Sequence, residues 1–284
     1  MSCASPVPQG HLSGGTGTGL AMGLCRPCGQ CIGCRLDYAR AKAVRCMHEL
    51  EYHDSASFLT LTYDEKYLPI NTEGYPTLVK SDLQKFFKRL RKSLPGKNLR
   101  YMASGEYGDQ THRPHYHVIL FGYDFCFDRT LWRSAATGNL YNSGHLAAVW
   151  PAGQSVIADV TFDSANYVAG YTVKKLTGVL AVEQYDNLGR QRPFGLMSSK
   201  PSIGRRWIES NIDEVMQFDS VIVNGHEQRP PRYYDEIVKK MCPDEWFGVL
   251  RARRDKQASR PQPDLIARAV RLQNKKSQKY ENIV

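Results

Sequence analysis

The segment Arg113-Pro114-His115-Tyr116-His117-Val118-Ile119-Leu120-Phe121 limits what this chain can fold into more than any other stretch. It is rich in β-formers, and two histidines one residue apart must project from the same face of a strand. At the rise of a strand they stand about 7 Å apart along the backbone, near enough for both imidazoles to reach one ion. The preceding segment 99–106 reads as a second strand, joined to the first by a loop containing Gly and Pro, so the two form a hairpin. In the simplest register Glu106 lies opposite His115 and shares its face, whereas a shifted loop brings in Asp109 or His112 instead. A carboxylate with two imidazoles suits Mg²⁺ or Mn²⁺ and leaves positions open for phosphate oxygens. Taken alone, the histidine pair also fits two ordinary strand residues.

The flanking sequence supplies the rest of a domain. Residues 36–51 lack Pro and Gly and carry Leu36, Ala39, Ala43, Val44, Met47 and Leu50 at helical spacing. Residues 57–63 alternate Phe58 and Thr60 against Leu59 and Leu61, as a strand does. A second helix opens at Ser81, where Gln84 gives capping-box spacing, and buries a stripe of Leu83, Phe86, Phe87 and Leu90. Its other face carries Lys85, Lys88, Arg89, Arg91 and Lys92, which a solvated surface or a phosphate backbone would both suit. A further strand is expected at 155–162, then a helix over 165–176 capped by Asp163 or Ser164. This order predicts an α+β fold: a mainly antiparallel central sheet with helices packed on one face. The expected organisation is a Gly/Ser-rich flexible arm at 1–24, a cysteine-rich segment and helix at 25–50, a core at 51–180, a packing region at 181–250 and a basic tail at 251–284.

Within the 165–176 helix, Tyr167, Tyr171 and Lys174 fall on one face at 100° per residue. A phenol is a weak nucleophile at neutral pH because its pKa is about 10, and a neighbouring ammonium or a metal-polarised phosphate favours its anion. Attack on DNA by such a group stores the energy of the broken linkage as a phosphotyrosyl ester and needs no nucleotide triphosphate. Consistently, the chain contains no P-loop motif. Two tyrosines one turn apart are, by themselves, also ordinary packing residues.

Four of the eight cysteines, Cys25, Cys28, Cys31 and Cys34, recur every third residue. That spacing points to metal rather than to disulfides, with zinc the first expectation, an iron–sulfur centre its rival, and Cys46 or His48 as further ligands. The net charge of +10 favours a polyanionic partner, and the tail supplies ten basic residues against three acids. No apolar run is long enough to span a bilayer and no signal peptide is apparent, so a cytoplasmic protein without a membrane partner is expected.

Read together, Phe58-Leu59-Thr60-Leu61-Thr62, His115-Tyr116-His117 and Tyr167-x-x-x-Tyr171-x-x-Lys174 follow the order of three motifs of the HUH superfamily. Over residues 27–205 the chain resembles the rolling-circle replication initiators of microviruses, especially the gokushovirus group of single-stranded-DNA phages. The likeness includes Cys28, Cys31, Cys34 and Arg35, Arg45-Cys46-Met47-His48-Glu49, Gly105-Glu106-Tyr107-Gly108, Arg113-Pro114 and Ile203-Gly204-Arg205. It implies a site-specific nickase acting on single-stranded and origin DNA in the cytoplasm of an infected bacterium. The enzyme stays attached to the new 5′ end and hands a 3′-OH to the host replicative helicase and polymerase. Lys85, Lys88, Arg89, Lys92 and Arg113 are the expected DNA contacts. Two other readings compete: a non-catalytic zinc-containing nucleic-acid-binding protein, and a relaxase or transposase with the same core chemistry.

Overall fold

A computed structural model describes Cys3, residues 7–8, 25–135, 138–170, 181–258 and 271, with the backbone alone for 7–8, 25–26, 135, 254 and 256–258. The described chain is α+β, built around a seven-stranded antiparallel sheet. Strands β1 (Val7–Pro8) and β2 (Cys25–Arg26) form a short antiparallel pair ahead of helix α1 (Ile32–Leu50). Then come β3 (Ala56–Thr62), α2 (Lys80–Ser93), β4 (Arg100–Tyr107) and β5 (Pro114–Phe121). The hairpin β6 (Arg129–Ala135) and β7 (Gly138–Ser143) leads through α3 (Gly144–Val149) to β8 (Ser155–Ala158) and α4 (Phe162–Ala169). Strand β9 (Phe194–Met197) completes the sheet, whose order is β6-β7-β8-β3-β5-β4-β9.

Both faces of the sheet are covered, which corrects the one-sided packing expected from the sequence. On one face Leu59, Leu61, Tyr116, Val118 and Leu120 pack against Leu83, Phe86, Phe87 and Leu90 of α2 and Leu146 of α3. On the other, Met102, Ile119 and Phe121 pack against Ala39, Ala43 and Cys46 of α1 and Ala165, Val168 and Ala169 of α4. The reason lies in β5: from Tyr116 to Phe121 every residue is buried, as a strand covered on both sides requires.

The C-terminal portion forms a third packed group. It comprises α5 (Arg205–Ser210), α6 (Ile212–Phe218), the hairpin β10 (Val221–Val223) and β11 (His226–Gln228), α7 (Arg232–Met241) and α8 (Pro243–Ala258). Trp207, Val215, Val221, Tyr234 and Ile237 pack there around Val44 of α1. Two sequence motifs meet at this junction. Gly204, from Ile203-Gly204-Arg205, donates its N–H to Glu49 at 2.7 Å, while Arg45 Nε donates to the Ile203 carbonyl at 2.9 Å. Gly204 has φ +74°, and a Cβ there would come within 2.7 Å of the Tyr234 hydroxyl. Glycine is therefore required both by the left-handed backbone and by the space. His48 stacks on Trp207 with ring centroids 3.6 Å apart, and its Nδ1 lies 2.9 Å from the Tyr234 hydroxyl.

Local capping differs from expectation at two helices. Helix α2 starts at Lys80 with Val79 at its N-cap and no side-chain cap, so Ser81 and Gln84 do not form the expected box. Helix α4 is capped by Thr161, whose hydroxyl accepts from the Ser164 N–H while Ser164 Oγ accepts from the Thr161 N–H. The helix thus begins a turn earlier than the sequence suggested, because Thr161 makes the box with Ser164 that neither Asp163 nor Ser164 makes alone.

Candidate metal and nucleophile site

The hairpin β4–β5 takes the simplest register, with Glu106 opposite His115 and Ser104 opposite His117. Strand β3 lies on the other side of β5 and places Thr60 opposite His117 and Thr62 opposite His115. Residues paired across an antiparallel sheet share a face, so Glu106, His115 and His117 converge on the side covered by α1 and α4. One ligand atom from each can be chosen so that all three lie within 4.8 Å of one another. Asp109 and His112, the alternatives to Glu106, are exposed in the hairpin loop and stand outside this group.

Neighbouring groups orient the three side chains. His115 Nδ1 donates to the Arg113 carbonyl at 3.2 Å, and His117 Nδ1 lies 3.2 Å from Thr60 Oγ1. With Nδ1 of each ring so engaged, Nε2 is the atom presented for coordination. Ser104 Oγ donates to Glu106 Oε1 at 3.0 Å, and Phe58 stacks on His117 at 5.6 Å between ring centroids. Glu106 and His117 are buried and His115 is half-buried. Two imidazoles and a carboxylate form a donor set suited to a divalent cation, and Thr60, Ser104 and Phe58 are supporting residues that the sequence did not single out. Only the strand alternation of 57–63 pointed to Phe58 and Thr60, since they share the face of the histidines.

Tyr167 meets this group edge-on, its ring centroid 4.8 Å from that of His117. It is half-buried on α4, whose Ala165, Val168 and Ala169 face the core. Tyr171 and Lys174 lie outside the described residues.

The expected DNA contacts are dispersed. Helix α2 lies across the sheet from the histidines; Lys88 and Lys92 are exposed there, and Lys85 pairs with Asp82 at 3.2 Å. Arg89 instead turns inward, donating Nε to the Val149 carbonyl at 2.8 Å. Arg113 clamps the site's rim by pairing with Glu65 at 2.5 Å and donating to the Tyr63 carbonyl at 2.9 Å.

The cysteines regroup. Cys28, Cys31 and Cys34 come together with Cys3, which the sequence reading left out because it stands alone, far from the run. Cys46 is fully buried away from that group and touches Met102 Sδ at 3.7 Å, since its position on α1 faces the sheet. This corrects its expected role as a ligand. The side chain of Cys25 lies outside the described residues.

Comparison with known proteins bears on the same region. A family model for replication-associated proteins of the ORF2 type matches residues 56–176, the span that holds β3, the histidine hairpin and α4. The chain is 36% identical to replication-associated protein VP4 of Bdellovibrio phage phiMH2K, over 78% of this chain and 70% of the relative. It is 32% identical to replication-associated protein ORF2 of Spiroplasma virus 4, over 82% of this chain and 74% of that protein. To replication-associated protein ORF4 of Chlamydia phage 1 it is 26% identical, over 80% and 58% respectively. No solved structure matches the chain. No described helix is long and apolar enough to cross a membrane.

Proposed function

Since the chain belongs to the replication-associated proteins of small phages, the microvirus-type initiators of rolling-circle replication, we propose that it is the metal-dependent endonuclease that nicks the origin through a 5′-phosphotyrosine intermediate. A role in initiating phage replication follows from the family. The chemistry rests on one observation: Glu106, His115 and His117 converge within 4.8 Å beside Tyr167, a phenol on a separate helix.

A divalent ion held by these three residues, Mg²⁺ or Mn²⁺, supplies Lewis-acid polarisation of a phosphate oxygen. The chain's own groups do the rest. The Tyr167 oxygen attacks phosphorus and loses its proton, the bond from phosphorus to the 3′ oxygen breaks, and that oxygen takes up a proton to leave a 3′-OH. The 5′ phosphate stays on the tyrosine as an ester of similar energy, so the step reverses without a nucleotide triphosphate. Tyr171 serves as the second nucleophile after a full circle, and Lys174 favours the phenolate of either. The partners are single-stranded and origin DNA, with the host helicase and polymerase using the exposed 3′-OH in the bacterial cytoplasm. Lys85, Lys88 and Lys92 and the basic tail contact phosphates away from the reacting one.

The test is to incubate the protein with Mn²⁺ and origin oligonucleotides and to look for a covalent adduct on a denaturing gel. The wild type and each single variant, Tyr167→Phe or Tyr171→Phe, should form adduct to differing extents, whereas the double variant should form none. A 5′-linked adduct in the double variant places the nucleophile elsewhere; binding with no adduct in the wild type marks a non-catalytic protein.

A further inference from the structure

We propose that Cys3, Cys28, Cys31 and Cys34 bind one zinc ion as four thiolates, and that this ion fixes the first turn of α1 against the helix that carries Tyr167. The four sulfur atoms lie within 4.8 Å of one another, with Cys31 Sγ 3.7 Å from Cys3 Sγ and Cys28 Sγ 3.9 Å from Cys34 Sγ. These separations are far too long for disulfides, whose sulfurs are about 2.05 Å apart. They match the edge of a tetrahedron of thiolates around zinc, about 3.8 Å when each Zn–S bond is about 2.3 Å. In an iron–sulfur cluster the thiolates are shared out among several irons, which spreads the sulfurs more widely than a single ion does.

The backbone prepares the site for negative charge. Cys28 N–H points to Cys3 Sγ at 3.3 Å and Cys31 N–H to Cys28 Sγ at 3.3 Å, and such donors stabilise thiolates. The β1–β2 pair explains why so distant a residue takes part. Its antiparallel register sets Val7 opposite Arg26 and Pro8 opposite Cys25, a pairing that directs position 3 toward position 30, between Cys28 and Cys31. Cys3 and Cys34 are both buried, so the ion is enclosed on two sides.

The consequence for the enzyme runs through α1. Cys31 is its N-cap and Cys34 lies in its first turn, while Ile32 and Leu36 beside them pack into the cluster that contains Ala165, Val168 and Ala169 of α4. The zinc therefore acts on Tyr167 by positioning, without touching DNA.

Zinc is measured by elemental analysis of full-length protein purified without chelators, and cysteine reactivity by alkylation and mass spectrometry. The expected result is one zinc per chain, with Cys3, Cys28, Cys31 and Cys34 protected together and released together by a strong chelator. Replacement by Co²⁺ should give the intense visible bands and thiolate charge transfer of a tetrahedral four-sulfur site. Cys3→Ser should weaken zinc binding at least tenfold, while Cys25→Ser and Cys46→Ser keep one equivalent. Hydrogen exchange of residues 162–169 should rise on zinc removal. Iron with acid-labile sulfide, no bound metal, or a Cys3 that alkylates freely in the zinc-loaded wild type would each overturn the proposal. The alkylation result holds even where a variant fails to fold, and none of these readouts depends on nicking.

Discussion

Strand β4 carries two buried ionisable groups on one face, Arg100 at its start and Glu106 at its end, roughly 20 Å apart at the rise of a strand. At the first end Arg100 Nε pairs with Glu49 at 2.8 Å, and the same carboxylate takes the Gly204 N–H at 2.7 Å and faces His53 Nε2 at 3.2 Å. Burial alone would raise the Glu49 carboxyl; the His53 and Gly204 hydrogen bonds and the Arg100 charge outweigh it and hold the group below its ordinary value. At the second end the acid faces two imidazoles and a serine hydroxyl. The first grouping carries its own cation and closes a junction between α1, β4 and the C-terminal helices. The second assembles donor atoms around a point where a cation from outside completes the set. One strand thus separates architecture from chemistry along its length.

Substitutions at the two ends should separate just as sharply. His115→Ala or His117→Ala should abolish adduct formation while the thermal midpoint stays within a few degrees of wild type, because the ion polarises the reacting phosphate and contributes little to the fold. Full nicking by either variant, or by wild type in EDTA, breaks the comparison at the catalytic end. Arg100→Met should do the reverse, costing about 3–5 kcal/mol in a urea titration by leaving the Glu49 charge buried without its partner, yet preserving nicking per folded molecule. A loss of nicking with stability intact would show the junction to be part of the chemistry.

Smaller changes sharpen the picture. Thr60→Val and Ser104→Ala remove only the groups that orient His117 and Glu106, and should lower metal affinity or activity by about 10–100-fold, read from an Mn²⁺ titration of nicking. His48 reports on the junction through pH. Burial against Trp207 and Tyr234 pushes its pKa down to about 4 from 6.5, so the fold holds it neutral. The unfolded chain then binds the proton first as pH falls, and the stability tied to His48 is full above pH 6.5 and drains away toward pH 4. Between pH 7 and pH 5 this amounts to about 2 kcal/mol, and urea titrations of wild type and His48→Gln should differ in slope by that amount.

Legibility in the sequence followed locality. The hairpin register was readable because its strands are neighbours in sequence and both carry marked residues, so Glu106 opposite His115 needed no distant information. Strand β3 and the apolar stripe of α2 were readable from periodicity alone. Cys3 was not, since a single cysteine in a Gly/Ser-rich segment has no pattern until chain pairing brings it back. Nor was β9: four residues that pair with β4 from some ninety positions away leave no trace in a local window. Beyond Arg205 the helices and strands are short, and their core depends on Trp207 and Tyr234 meeting His48 of α1. Among the site residues, Glu106, the two histidines and Tyr167 were anticipated, while Thr60, Ser104 and Phe58 appear only once β3 is known to lie beside β5.

The place of β9 also bears on how the molecule reaches its native state. Until residues 194–197 arrive, β4 is an edge strand, with backbone donors and acceptors bare from Met102 to Gly105, directly beside Glu106. During synthesis the segment that carries the chemistry, 56–176, emerges first and waits with a sticky border, able to pair with another nascent chain. Late closure by a distant strand raises the contact order and slows the last step of folding. A fragment ending before Phe194 should therefore aggregate rather than nick, although it contains Glu106, His115, His117 and Tyr167.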